Sequence, residues 1–221
     1  MRLPPFAARC NARSHGIARI QLDRRALTVI AATSFEHRIV RKTLPGVNVI
    51  NAGIALSTLR RHTFGGLAIA CGLAGGLSDR LSTGAVVIPE VVCDAEGHRI
   101  VCDPHAVLAL RESAATIGVQ YSGEPLLTTR AIVRGEERER WARRGFAAAD
   151  MESAFLQAPK VAVVRVILDT PGHELSAAWS RPASVIFHPR AWLEIPWLAR
   201  EAPRCVRLAA RVIRNALVYK T

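Results

Sequence analysis

The chain has 221 residues, of which half are hydrophobic and 5% aromatic, and 30 Lys and Arg against 18 Asp and Glu give a formal net charge of +12. That length fills one α/β core, and an apolar content made mostly of Ala, Val, Leu and Ile excludes a disordered chain. Five scattered cysteines with no C-x-x-C pair, and seven histidines with no close ligand pair, argue against a disulfide framework or a metal site. They fit a reducing cytoplasm.

Residues 1–25 carry six Arg and one Asp, show no periodicity and contain no long apolar core. They are expected to form a basic, disordered leader ahead of a single domain over 26–221, with no secretion signal. Apolar runs then alternate with helical segments. Leu27–Thr33 is a predicted buried strand, followed by a short helix from Phe35. Val47–Gly53 is the next strand, and Ala55–His62 a helix. Leu67–Cys71 runs into a glycine turn, "GLAGGL", and Ala85–Val92 is a further strand. Pro104–Ile117 is predicted helical, Leu126–Val133 extended, and Glu136–Arg144 a charged helix.

A helix is expected at "DMES" (Asp150–Ser153), and Lys160–Leu168 is a near-continuous apolar strand that stops at Asp169. Runs apolar on both faces belong in the middle of a covered sheet, so the order predicts an α/β fold with a central mixed sheet flanked by helices. Residues 172–197, rich in Pro and Trp, read as an irregular loop, and 198–219 as an amphipathic helix. The two ends each carry a net charge of +5. They have no zinc finger and no RNP-like aromatic motif, which argues against nucleic acid, and no apolar run is long enough to span a bilayer.

Four features carry chemistry. "CGLAGGL" (Cys71–Leu77) lets backbone come close to a ligand, or simply makes a tight turn. Asp169 ends a central strand, where open α/β sheets bind their ligands. It either serves as an acid there, caps a turn, or pairs with an arginine. Asp150 or Ser153 can cap a helix, whereas Glu152 lies between "FAAAD" and "SAF", an apolar setting that demands a polar partner. Glu36 follows the first strand, where a glutamate complements a helix dipole.

Together the segments "IAATSFE", "NAGIA", "GLAGGL", "TGAVVIPE", "DMES" and "RVILD" resemble the nucleoside phosphorylase and nucleosidase superfamily over about residues 27–170. The branch with methylthioadenosine/adenosylhomocysteine nucleosidases and hopanoid-associated phosphorylases is the most similar. The short chain, "ILD" and the basic C-terminal part favour the hopanoid-associated group. The resemblance implies a three-layer fold, no metal, and cleavage of the N-glycosidic bond of an adenine nucleoside, with adenosylhopane the preferred substrate. Methylthioadenosine, adenosylhomocysteine or another soluble purine nucleoside is the alternative. A non-catalytic nucleoside- or nucleic-acid-binding module is the rival of another class.

Residue by residue, the resemblance makes Asp169 the acid facing the purine N7 and puts Glu36 on the nucleophile side. Met151 and Glu152 hold the ribose, and Asp150 is left as a cap. Gly72, Leu73, Ala74, Ile132 and Val133 shape the base pocket, and Gly53 and Ser57 the site for phosphate or water. Ala70 stands where hexameric phosphorylases carry a phosphate-binding arginine, so phosphate as co-substrate and water both stay open. The resemblance also implies a homo-oligomer. A lipid-linked substrate would give the basic ends and tryptophans a role against an anionic membrane.

Overall fold

The computed structural model describes residues 20–53, 64, 66–180 and 189–218. In chain order the elements are β1 (Leu22–Asp23), β2 (Leu27–Ala31), α1 (Ser34–Thr43), β3 (Asn48–Asn51), β4 (Leu67–Gly76), β5 (Val86–Val87), β6 (Val91–Asp94), β7 (Arg99–Val101) and α2 (Pro104–Thr116). There follow β8 (Tyr121–Ser122), β9 (Leu126–Thr128), α3 (Glu136–Arg143), β10 (Ala148–Asp150), β11 (Lys160–Asp169), α4 (Pro189–Trp192), α5 (Ile195–Ala216) and β12 (Leu217–Val218). Short 3-10 turns lie at Ser153–Phe155 and Ala177–Ser180.

The two longest apolar runs become the two central strands. β4 and β11 are parallel from Leu67 opposite Lys160 to Gly75 opposite Asp169. On its other edge β4 changes partner. Parallel β2 holds its first half, as far as Ala70, and antiparallel β10 holds Gly75 and Gly76. The mixed sheet therefore forks along β4, with β3 continuing from β2, and β9, β6 and β7 from β10.

Helices flank this sheet. α5 packs on β4 and β11 and touches both α1 and α2. Its buried stripe, including Val206, Ala209, Val212 and Ile213, follows helical spacing, so one face leaves water and joins the main core. Ser113 of α2 donates to the Val212 carbonyl (2.5 Å), and Asn215 donates back to the Ser113 carbonyl (3.2 Å). α3 is anchored by a separate small cluster, in which Trp141 packs with Leu77, Leu127, Val133 and Ala149.

Several boundaries differ from the sequence reading. "GLAGGL" is not a turn: β4 runs straight through it to Gly76. The "DMES" segment is the end of β10 followed by a 3-10 turn, not an α-helix. Ala85–Val92 divides into β5 and β6, and Leu126–Val133 is extended only to Thr128. α5 starts at Ile195 and stops at Ala216, and Ala177–Ser180 and α4 are regular turns within the predicted loop 172–197. Leu22 and Asp23, inside the expected leader, form β1 and pair in parallel with Leu217 and Val218. Residues 1–19 and the predicted helix Ala55–His62 lie outside the described residues.

β4 tolerates its glycines because other side chains lie where theirs would be. A Cβ on Gly72 would stand 2.4 Å from Glu36 Oε1 and 2.7 Å from Arg165 Nη1, and one on Gly75 would stand 3.0 Å from Asp169 Oδ1. Gly72→Ala must push two buried charged groups aside. It is expected to lower unfolding stability by ~1–3 kcal/mol in denaturant titration, and an unchanged midpoint would show that the strand has room.

Candidate active site

A cavity of about 630 Å³ opens beside the fork in the sheet. The C-terminal ends of the parallel strands β2, β4 and β11 lead to it, which is where open α/β sheets present ligand sites. Glu36, Met151, Glu152 and Asp169 all line it, as do Leu73, Ala74, Ile132 and Val133. Eight predicted site residues, from five separate stretches of chain, thus face one space. Gly72 is not in the wall. It lies behind it, giving room to Glu36 and Arg165. Gly53 is not in the wall either: with φ of +73° it turns the chain after β3, its N–H donating to Asn51 Oδ1. Ser57 lies outside the described residues.

Glu36 is fixed by its position at the start of α1. Thr33 and Glu36 form a reciprocal capping box: the Glu36 N–H donates to Thr33 Oγ1 (3.1 Å), and the Thr33 N–H donates to Glu36 Oε2 (3.0 Å). The other oxygen, Oε1, accepts from the Leu73 N–H of β4 (3.1 Å). A cap has been extended into a bridge between a helix and the sheet, and the carboxylate is 5% exposed.

The sequence reading missed Arg165. It interrupts the apolar run of β11 and is 1% exposed. Its Nε–H donates to Asp150 Oδ2 (2.8 Å), and its Nη2 donates to Glu152 Oε2 (3.2 Å) and Ser153 Oγ (3.1 Å). Burial works against its charge, but Asp150, Glu152 and Glu36 outweigh burial and hold it protonated. Asp150 is therefore more than a cap. It receives Ser153 as a cap would, but also accepts from Thr128 Oγ1 (2.6 Å) and neutralises Arg165.

Glu152 lies at the cavity side of this group. Burial pushes it up to about 7. Arg165 pulls the other way, and Asp150 and Glu36 add to the rise. Near neutral pH it exchanges between a neutral acid and a carboxylate that accepts hydrogen bonds.

Asp169 is the last residue of β11 and lines the same cavity. The pairing of β11 with β4 shifts between Ile167 and Asp169, a bulge that lets Leu168 and Asp169 both reach the cavity. Burial raises its carboxyl above the ordinary range, while Arg138 and the Asp169 and Leu175 backbone amides oppose the rise. Arg138, from α3, pairs with Asp169, donates to the Gly76 carbonyl, and has its Nε 3.1 Å from Glu174 Oε1. The sequence alternative of an arginine partner for Asp169 is thus realised, by a residue 31 positions away. Trp179, from the Trp-bearing segment, also lines the cavity and donates to Glu194 (2.6 Å), whereas Trp197 stacks on His173. Among the described residues no group of His, Cys, Asp or Glu is arranged to hold a metal.

No protein-family model matches the sequence, and no curated protein matches it. Solved structures do. The methylthioadenosine/adenosylhomocysteine nucleosidase of Helicobacter pylori superposes with a TM-score of 0.63 at 14% identity, covering 86% of this chain and 96% of that one. The fold is that of the nucleosidases. The same enzyme from Neisseria meningitidis, bound to methylthio-immucillin-A, gives 0.62 at 18% identity over 86% and 97% of the two chains. Futalosine hydrolase of Helicobacter pylori gives 0.62 at 14% over 86% and 96%. The likeness covers nearly the whole length of those chains and agrees, at the level of fold, with the resemblance seen in the sequence.

Two outcomes follow from the Arg165 group. Arg165→Met leaves buried carboxylates facing one another and is expected to cost ~3–5 kcal/mol in chemical denaturation, whereas a loss below ~1 kcal/mol would show that the charges are hydrated. The second concerns pH. Because the folded chain holds the Glu152 proton up to about 7 against an ordinary 4.5, this residue's contribution to stability is full below 4.5 and lost as pH rises through 7. Thermal melts across pH 4.5–7.5 should show wild type losing stability relative to Glu152→Gln, by at most ~1.4 kcal/mol per pH unit. Parallel curves would place Glu152 in contact with water.

Proposed function

We propose that this chain cleaves the N-glycosidic bond of an adenine nucleoside, releasing the base. The observation that carries the reading is that Glu36 after β2, Glu152 after β10 and Asp169 at the end of β11 all face one cavity. Cleavage of a ribosyl C–N bond places positive charge on the sugar and negative charge on the departing base. Glu152 accepts from the ribose hydroxyls as a carboxylate, a charge-assisted arrangement, and Met151 beside it offers an apolar face. Asp169 donates its proton to N7 as the electron pair of the broken bond moves onto the base. The attacking oxygen bonds to the anomeric carbon with Glu36 holding it, and when it comes from water its proton passes to Glu36.

Water suits this cavity better than phosphate. Its described wall carries the carboxylates of Glu36, Asp150, Glu152 and Asp169, and its arginine, Arg138, is already paired. A phosphate dianion would approach several acids, whereas neutral water meets acceptors.

The finer reading is a nucleoside with a long apolar 5′ substituent, adenosylhopane, within the hopanoid-associated group. Ile195, Leu198, Ala199 and Ala202 put one helical stripe of α5 into the cavity wall, and Ile195 and Phe35 stay exposed at its edge. Trp192 and Leu193 are exposed just ahead of α5. Such a mouth takes an aliphatic chain more readily than a charged amino acid tail, and it fits a peripheral contact with a membrane. The alternative, methylthioadenosine, needs only a small part of that surface.

Adenine release from adenosylhopane, methylthioadenosine and adenosylhomocysteine, each with and without phosphate, tests these steps. The expected result is release without phosphate, fastest with the apolar substrate, and a ribosyl product without phosphate. Asp169→Asn should lower turnover by ~10²-fold or more. Adenine binding with no turnover of any nucleoside by wild type would overturn the enzyme reading in favour of a binding module.

A further inference from the structure

The outer surface of α5 carries a charge pattern that the proposed reaction does not use. Arg200, Arg204, Arg207, Arg211 and Arg214 are all exposed and follow one another at spacings of four, three, four and three residues. That spacing places them in a single stripe, on the side away from the buried Val206, Ala209 and Ile213. At a rise of ~1.5 Å per residue the stripe is ~21 Å long. Glu201 is the acid on this length of helix, and it is buried and shared between Arg200 and Arg204. Arg207, Arg211 and Arg214 face no carboxylate among the described residues. Elsewhere Arg80, Arg111, Arg143 and Lys160 each meet one.

α1 lies alongside α5 and repeats the pattern. Arg38, Arg41 and Lys42 are exposed there, while its acid, Glu36, is buried in the cavity wall. Both helices start at the cavity: Phe35 and Ile195, in their first turns, line it and stay exposed. Immediately ahead of α5 in the chain stand Trp192, also exposed, and Leu193, 82% exposed. Apolar side chains beside a row of unneutralised cations suit a partner that offers both anions and an apolar layer.

We propose that the face formed by α1 and α5 docks on an anionic lipid bilayer, with the arginine stripe on the headgroups and Trp192, Leu193 and Ile195 entering the acyl boundary. Charge complementarity selects this occupant. A second copy related by a two-fold axis would set arginine against arginine. A nucleic acid would match the cations but leave Leu193 in water. A bilayer satisfies both. Docked this way, the mouth edged by Phe35 and Ile195 opens toward the membrane, and a nucleoside with an apolar tail passes from the bilayer to the cavity without crossing water. That last step rests on the reading of function above, whereas the docking rests on the surface alone. Each cation near such a surface is worth about fivefold in binding, and the attraction falls off within a Debye length.

The test is sedimentation of the full chain with vesicles of mixed phosphatidylglycerol and phosphatidylcholine, and of phosphatidylcholine alone, at ~0.05 and ~0.5 M salt. Wild type should bind the anionic vesicles only and come off at the higher salt. Arg207→Gln, Arg211→Gln and Arg214→Gln combined should weaken binding by ~10²-fold. Arg80→Gln, Arg140→Gln and Arg143→Gln combined, the same charge change elsewhere on the surface, should weaken it by less than about fivefold. Leu193→Ser should cost about tenfold.

No binding by wild type, or equal losses in the two triple variants, overturns the proposal. So does tighter binding to duplex DNA through the same arginines, which makes the partner a nucleic acid. A changed oligomeric state in the stripe variant makes the face a contact between copies, and overturns it too. Should the stripe variant fail to fold, Arg211→Gln alone, expected to lose about fivefold, decides together with Leu193→Ser. Adenine release from soluble methylthioadenosine keeps the two readings apart. The stripe variant should retain the wild-type rate there and show a raised KM only for a nucleoside carried in anionic vesicles. Vesicle binding without turnover of any nucleoside would sink the reading of function and leave the docking face standing. Turnover without vesicle binding would do the reverse.

Discussion

Burying the Arg165 guanidinium inside the central sheet is the constraint that organises the site. Moving a guanidinium and its anions out of water costs several kcal/mol per ion, and only close pairing with satisfied hydrogen bonds offsets that. The pairing comes from distant parts of the chain. Asp150 and Glu152 arrive from the end of β10, and Glu36 approaches from the start of α1. The segments that carry these acids must converge on the middle of β11. Charge balance in the core thus sets where the walls of the cavity stand.

The fork in β4 makes that convergence possible. Where β2 ends, β10 takes over the same edge in the opposite direction, leaving the space between them to side chains. Glycine is needed in β4 at this point because Glu36, Arg165 and Asp169 lie against its backbone. A residue with a side chain at 72 would close the site from behind. A bulge in the neighbouring strand then brings Asp169 to the cavity as well. The fold supplies both carboxyl positions from the ends of its two longest strands and their immediate neighbours.

Much of this was legible in the sequence, for a physical reason. Strands apolar on both faces announce a covered sheet, which picked out β4 and β11; Glu152 stood out by its apolar setting and Asp169 by ending a strand, whereas Glu36 came with the family resemblance. "GLAGGL" misled because glycine runs signal turns more often than crowded strands. Arg165 was overlooked although its signal was present: a cation in the middle of "KVAVVRVIL" demands anions as surely as Glu152 demands a donor, and the two demands meet. Arg138 had no such signal. Its burial depends on the reach of α3 over the sheet, which local pattern does not encode.

The two arginines divide the cavity between the two charges that the proposed reaction creates. Arg165 is surrounded by acids, so the sugar end presents the carboxylates of Glu36 and Glu152 while their repulsion is held down from behind. Those groups are already oriented by Thr33, Leu73 and Arg165, which in the proposed reaction lets them meet a cationic sugar without reorganisation. At the base end the order is reversed. Arg138 pairs with Asp169, the carboxyl that the proposed reaction turns into an anion, so negative charge there meets a cation. Had a single arginine served both ends, stabilising one charge would have weakened the other. Two buried cations on separate elements avoid that conflict.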